Sequence, residues 1–383
     1  MPSLVVRTFE SAGVVPPAAA IEVTGLREKL TDALSRFDAI NVHLARQPAR
    51  PAGHTADYQL FGFIEYLEDG TAIPRFRLVD TGIDMVVWTR RFDPVAPSAG
   101  REAAEQAIVR QLASTLLQGF GVVRSYEFAK GQTTTSRDPR YRCLLVTYEA
   151  FRSFDSVAHD RARSCLEELT AVDTNFSAGF AYLAFLHIRE YLFALGSKVD
   201  DQTALDRALR AARRSVEANP ASARAYHSLA CTLVYRHDFA NGFVAFEKAV
   251  ALNTYDVAIP SAYGDALIQA GDIDRGMEMI KDAEDHNLVR PIWEHFNLFL
   301  GNYMRGNLAQ ATHEADQLTS DSFSYGLLAR ALMAARNGDR DRARELLDRL
   351  ETRFPAWRND PRREIAKYIP AAVIAEKPQA AKR

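Results

Sequence analysis

The sequence predicts an α+β protein: a small α/β amino-terminal domain, built on an antiparallel meander with two helices, followed by an all-α solenoid of helical hairpins. Three observations carry this. Residues 1–95 alternate apolar and polar side chains at the two-residue period of strands. The strand signal ends by about residue 137. Beyond it small residues recur as Ala208, Gly242, Gly276, Ala311 and Ala343, spaced 34, 34, 35 and 32 apart, which is the period of a repeated helical hairpin.

In the first part, "SLVVRTF", "INVHLA", "DYQLFGFIEYL", "IPRFRLVDT" and "MVVWTRRF" read as strands. Between the first two, "EVTGLREKLTDALSRF" carries Val23, Leu26, Leu30, Leu34 and Phe37 at helical spacing. Turn residues in "EDG" at 68–70 and "DTG" at 80–82 join the last three strands into an antiparallel meander. A second helix, about 100–119, ends at Gly119 and Gly121. The domain therefore covers 1–126, and "EFAKGQTTTSRDPR" at 127–140 reads as a polar linker.

Residues 141–356 hold about six hairpins. Four residues beyond each small residue of the repeat come Ala212, Phe246, Ile280, Ala315 and Leu347; three further come Ser215, Ala249, Ala283, Leu318 and Leu350. Small side chains let two antiparallel helices approach, and larger ones fill the gap to the next hairpin. Gly271, Gly306 and Gly338 sit five before the small residue, where a turn takes positive φ. Pro220 and Pro355 lie twelve after it and end the second helix. An insertion near "EYLFALGSKVDDQT" is expected to protrude. Residues 357–383 read as a short capping helix and a tail that frays over "EKPQAAKR".

This pattern resembles the tetratricopeptide repeat, with its Leu-Gly/Ala pair standing here as Leu183-Ala184, Leu229-Ala230 and Tyr263-Gly264. The resemblance implies that first helices line a concave groove for a peptide or protein partner. Phe185, Arg224, His227, Asp265, Trp293, Phe296, Tyr303 and Tyr325 fall on its inward positions. The competing reading packs Trp293, Phe296 and Tyr325 against the amino-terminal domain or the chain's own tail.

The first part, through Tyr58, Gly62, Asp80, Gly82, Trp88, Phe92 and Asp93, is similar to the TolB amino-terminal-like (FlgO-like) domain that precedes tetratricopeptide repeats in bacterial class III adenylate cyclases and winged-helix regulators. That resemblance implies a sensory or interaction module in bacterial signalling. Its alternatives are the regulatory half of a cyclase or transcription regulator whose head is missing, and a cell-envelope scaffold. The strand-like run starts almost at Met1, which fits either a natural start or the distal part of a longer protein.

Composition narrows the remaining classes. Forty-seven basic against forty-nine acidic residues give a net charge of −2, which offers no global field for a nucleic-acid backbone, so direct nucleic-acid binding is not expected. No run approaches the roughly 18 to 20 apolar residues of a membrane span. The compartment is expected to be periplasmic if the chain is distal to a membrane segment, and otherwise cytoplasmic.

No catalytic signature is present: GxSxG, GxxxxGK[ST], GxGxxG and HExxH are all missing. His286 and His295, nine apart, do not share a helix face, and the acidic residues at 200, 201 and 206 lack the closing Glu of a calcium loop. The expectation is a non-catalytic chain with neither metal nor cofactor. Cys143 and Cys165 flank the "SFDS" turn at matching heights of a hairpin, placed either for a bridge or as two buried thiols. A bridge would imply an oxidising compartment. Cys231 reads as a packing or groove-lining thiol.

Overall fold

A computed structural model describes residues 1–13, 15, 19–38, 40–44, 56–119, 121–130, 138–195, 200–284 and 291–369. The chain divides into two units, Met1–Arg142 with Asn253–Asp256, and Cys143–Leu252 with Val257–Arg383.

The first unit is a sheet with helices against one face. Its elements run β1 (Ser3–Val6), β2 (Glu10–Ala12), α1 (Val23–Ser35), β3 (Asn41–Leu44), β4 (Tyr58–Tyr66), β5 (Ala72–Asp80), β6 (Met85–Arg91), α2 (Arg101–Leu117) and α3 (Val122–Ala129). The strands pair in the order β3-β1-β4-β5-β6, with β2 added on β4. β1 lies parallel to β3 and to β4, as a crossover through a helix requires, whereas β4, β5 and β6 are antiparallel. Leu60 and Ile64 of β4, Phe76 and Leu78 of β5, Leu26, Leu30 and Leu34 of α1, and Ile108, Val109 and Leu112 of α2 make one buried core. The alternate residues of β4, β5 and β6, Phe61, Phe63, Arg75, Arg77, Thr89 and Arg91, are half-buried or exposed.

Two elements are additional to the sequence reading. β2 has three residues, too few to register as a period, and α3 restarts the helix directly after the Gly119–Gly121 stop. The stretch 127–140, read as a linker, is helical up to Ala129 and again from Pro139; residues 131–137 lie outside the described residues. The resemblance residues take structural positions. Tyr58 donates from its hydroxyl to Glu127, and Asp80 accepts from Gly82 N at 2.9 Å and from Lys130 Nζ at 2.7 Å.

The second unit contains six hairpins: α4 (Pro139–Ser153) with α5 (Ser156–Val172), α6 (Ser177–Phe193) with α7 (Asp201–Ala218), α8 (Ala223–Tyr235) with α9 (Phe239–Leu252), α10 (Ala258–Gln269) with α11 (Ile273–Glu284), α12 (Ile292–Arg305) with α13 (Leu308–Gln317), and α14 (Ser324–Arg336) with α15 (Arg340–Arg353). Two short helices follow, α16 (Pro355–Asn359) and α17 (Pro361–Ala366). Pro355 thus both stops α15 and opens α16, where its missing N–H costs nothing.

The small repeat residues work by contact. A Cβ on Gly264 would stand 2.6 Å from the carbonyl oxygen of Gly276, and one on Gly276 would stand 2.5 Å from that of Gly264, so α10 and α11 touch backbone to backbone. Ala208 and Ala311 are fully buried at the equivalent places. Gly271, Gly306 and Gly338 turn between helices at φ of +95°, +79° and +84°, where an L side chain is strained. The insertion before α7 leaves α6 through Ala194 at φ +51°; residues 196–199 lie outside the described residues, as does the carboxy-terminal stretch from 370.

Candidate functional site

The first helices of successive hairpins, α6, α8, α10, α12 and α14, meet one segment of the chain: α17 and the residues after it. Its centre is Tyr368, 6% exposed. The Tyr368 ring lies 5.2 Å from Phe296 of α12, 5.4 Å from Tyr325 of α14 and 6.0 Å from Tyr235 of α8. Such edge and tilted pairings bury a large apolar area at small entropic cost.

A polar knot holds the ring's far end. Tyr368 donates its single hydroxyl proton to Asp265 Oδ1 at 2.8 Å, and Gln269 Nε2 donates to Asp265 Oδ2 at 2.8 Å. Asn297 lies 2.6 Å from the same hydroxyl; with its nitrogen turned inward it donates to Tyr368 Oη, to Asp265 Oδ1 at 3.2 Å and to the Trp293 carbonyl at 3.0 Å. Burial pushes the Asp265 carboxyl up to about 7, against the opposing pull of the hydrogen bonds from Tyr368 and Gln269. The carboxyl is therefore an acceptor on the edge of losing its charge. Burial likewise raises the Cys231 thiol and the Tyr235 phenol, with the Asp265 charge adding to both.

Basic residues, one of them beside Tyr368, anchor the segment as well. Lys367, 7% exposed, pairs with Asp201 at 3.2 Å and Glu364 at 3.0 Å and lies 5.4 Å over the Tyr191 ring of α6. Arg363 pairs with Asp201 at 2.6 Å. Tyr325 donates from its hydroxyl to the Glu364 carbonyl at 2.9 Å, and its ring meets Trp357 at 5.3 Å. One short segment therefore meets residues from five hairpins, with an aromatic hydroxyl and, next to it in the chain, a cation.

The eight groove residues expected from the sequence separate into groups. Asp265, Phe296 and Tyr325 converge on Tyr368, with Trp293 joined through its carbonyl oxygen. Phe185, Arg224 and His227 form a second group: the Phe185 ring stands 5.1 Å from His227, and Arg224 lies 5.0 Å over Tyr182. Burial, with the Arg224 cation adding to it, holds His227 down at about 3, so its imidazole is neutral. Tyr303 packs apart from both, 5.6 Å from Phe299 and 5.7 Å from the Arg336 guanidinium.

Tyr368, Lys367 and Asn297 were not singled out in the sequence. For the tail the signal was present, because Glu364, Ile365, Tyr368 and Ile369 share helical spacing in "REIAKYI"; the competing reading, with Phe296 and Tyr325 packed against the chain's own tail, is the arrangement the structure shows. Cys143 and Cys165 are joined as a disulfide with Cα atoms 5.6 Å apart, tying α4 to α5, and Cys231 is a free thiol. His295 Nδ1 contacts Glu314 at 2.8 Å, and His286 lies outside the described residues. Among the described residues no three His, Cys, Asp or Glu side chains gather as a metal site, and no helix is long and apolar enough to cross a membrane.

No protein-family profile and no curated protein matches the chain. Solved structures do. The human IFIT1 dimer with m7Gppp-AAAA is 18% identical, with a TM-score of 0.46 over 66% of this chain and 56% of that one. Yeast Tom70 is 14% identical, with a TM-score of 0.37 over 65% and 50%. YrrB, a TPR protein with an unusual peptide-binding site, is 16% identical, with a TM-score of 0.31 over 50% and 92%. The chain spans about half the length of the first two.

Proposed function

We propose that the repeat unit is a non-catalytic protein-interaction module and that the surface around Asp265 is its recognition site, for a partner segment presenting a basic residue beside a tyrosine. The observation that carries this is the seating of Tyr368. The chain's own segment 361–369 fills the shared face of five first helices with a ring, a hydroxyl and a cation, which is the chemistry by which a helical-repeat groove holds a peptide. On this reading the segment is a built-in occupant that a partner of the same chemistry displaces. The resemblance of the first unit to sensory domains supports a role in bacterial signalling, and the Cys143–Cys165 disulfide supports an oxidising compartment such as the periplasm.

The test is a labelled peptide RREIAKYI titrated onto the chain ended at Asp360. Saturable binding that weakens when the peptide's tyrosine is replaced by phenylalanine is expected, together with little binding to the full chain, whose site is filled. Absence of binding to a shortened chain that keeps its helical circular-dichroism spectrum overturns the proposal.

A further inference from the structure

Among the described residues, the face of the amino-terminal sheet opposite its buried core carries a pattern that the fold does not need. Register places the residues in two rows across β4, β5 and β6: Phe61 opposite Arg77 opposite Thr89, and Phe63 opposite Arg75 opposite Arg91. Across these three strands each row runs from a ring to a guanidinium, and β2 extends the second row with Glu10 opposite Phe63. The rows are two residues apart, about 7 Å along the strands. Between them and Thr8 and Glu10 lies an open cavity of about 450 Å³, within the size range of small-ligand sites.

The charge arrangement is unfavourable unless something anionic answers it. Arg75 and Arg91 stand directly opposite each other on neighbouring strands, and like charges so placed destabilise a sheet. Arg75 has Glu65 as a partner. Arg77 lies 4.9 Å over the Phe61 ring, and neither it nor Arg91 pairs with a carboxylate among the described residues. Glu10 is the one acid in the cavity lining, against Arg75, Arg77, Arg90 and Arg91. Guanidinium groups bind phosphate through paired N–H donors and stack on planar rings, and phenylalanine faces on an open sheet accept unpaired bases.

We propose that this face binds single-stranded nucleic acid, with two successive bases against Phe61 and Phe63 and their phosphates at Arg75, Arg77 and Arg91. Aromatic faces at the strand spacing suit stacked bases better than the side chains of an acidic peptide, which have no planar group to offer them. The chain's net charge of −2 supplies no long-range attraction, so affinity rests on these few contacts. About three phosphates then set the salt dependence, a log–log slope near −2 for a single strand.

The experiment titrates a labelled oligothymidylate of about six nucleotides onto the full chain between about 50 and 200 mM salt. Saturable binding with that slope is expected. The pair Arg77→Ala and Arg91→Ala lies on exposed side chains, so folding is retained; it should weaken binding at least tenfold and flatten the slope. Phe63→Leu should weaken binding about tenfold with the slope unchanged. Failure to bind at low salt overturns the proposal, as does indifference to the arginine pair. Equal competition by a mononucleotide would reassign the face to free nucleotides, and equal competition by a polyglutamate peptide would reassign it to an acidic protein; either overturns the single-strand assignment.

Discussion

The hydroxyl of Tyr368 donates to the carboxylate of Asp265 across 2.8 Å, joining residues 103 apart in the chain. That bond makes the carboxy-terminal segment part of the repeat core, and it sets up the first measurable consequence. Tyr368→Phe keeps the ring among Phe296, Tyr325 and Tyr235 but takes the donor from a buried carboxyl. A loss of about 1–3 kcal/mol in urea unfolding is expected. A loss within experimental error would mean that the hydroxyl is answered equally well by solvent.

Asp265 and His227 give the fold opposite responses to pH. With Asp265 at about 7 in the folded chain and about 3.9 unfolded, the native state keeps a proton that the unfolded chain has released, so stability falls as pH rises through that window and levels off above it. Asp265→Asn should remove this fall, gaining about 2–4 kcal/mol over the wild type between pH 4 and pH 8.

His227, held at about 3 against an ordinary value near 6.5, acts the other way. The unfolded chain takes up the proton first, so stability is full above about pH 6.5 and is lost as pH falls toward 3. His227→Gln should therefore flatten the acid limb of the stability profile. Denaturant midpoints measured from pH 4 to pH 8 for the wild type and both variants separate the two slopes.

The disulfide between Cys143 and Cys165 closes a separation of 22 residues, for which chain entropy gives about 3 kcal/mol. Reductant, or Cys165→Ser, should lower the unfolding free energy by that amount, read from denaturant titrations. Thiol counting by mass spectrometry on untreated protein from its native host reports whether the bond forms there. Three free thiols would remove the support for an oxidising compartment.

Gly276→Ala places a methyl 2.5 Å from the Gly264 carbonyl oxygen, so α10 and α11 must separate at a cost of about 1–3 kcal/mol. Gly306→Ala meets no atom, but its φ of +79° strains an alanine by about 1 kcal/mol. A larger loss at Gly276 than at Gly306 identifies the hairpin contact as the tighter constraint.

The hairpins were legible because their requirements are local. The spacing of Ala208, Gly242, Gly276, Ala311 and Ala343 is a packing rule repeated along the chain, and the glycine five residues earlier marks each of the last three turns. The strands of the meander were legible from their alternation. What escaped was short or borderline: β2 with its three residues, α3 restarting behind a glycine stop, and the parallel placement of β1 between β3 and β4, which no periodicity encodes.

The inward positions of the first helices were readable one by one, but not what stands against them. An inward position on a first helix states which way Asp265 or Phe296 points, but it does not decide what stands in front of it. The sequence left the chain's own tail as one of two occupants for Phe296 and Tyr325; the folded chain chose it, added Asp265 to the contact with Tyr368, set Phe185, Arg224 and His227 aside as a second group, and left Tyr303 with Phe299. The arginine rows of the sheet have the same origin: each alternating strand announced its outward residues, while the pairing register alone put Arg75 opposite Arg91. Periodicity is a property of neighbours along the chain, so it specifies elements and their faces. The contact between Tyr368 and Asp265 depends on how many turns stack between them, and that is settled by packing.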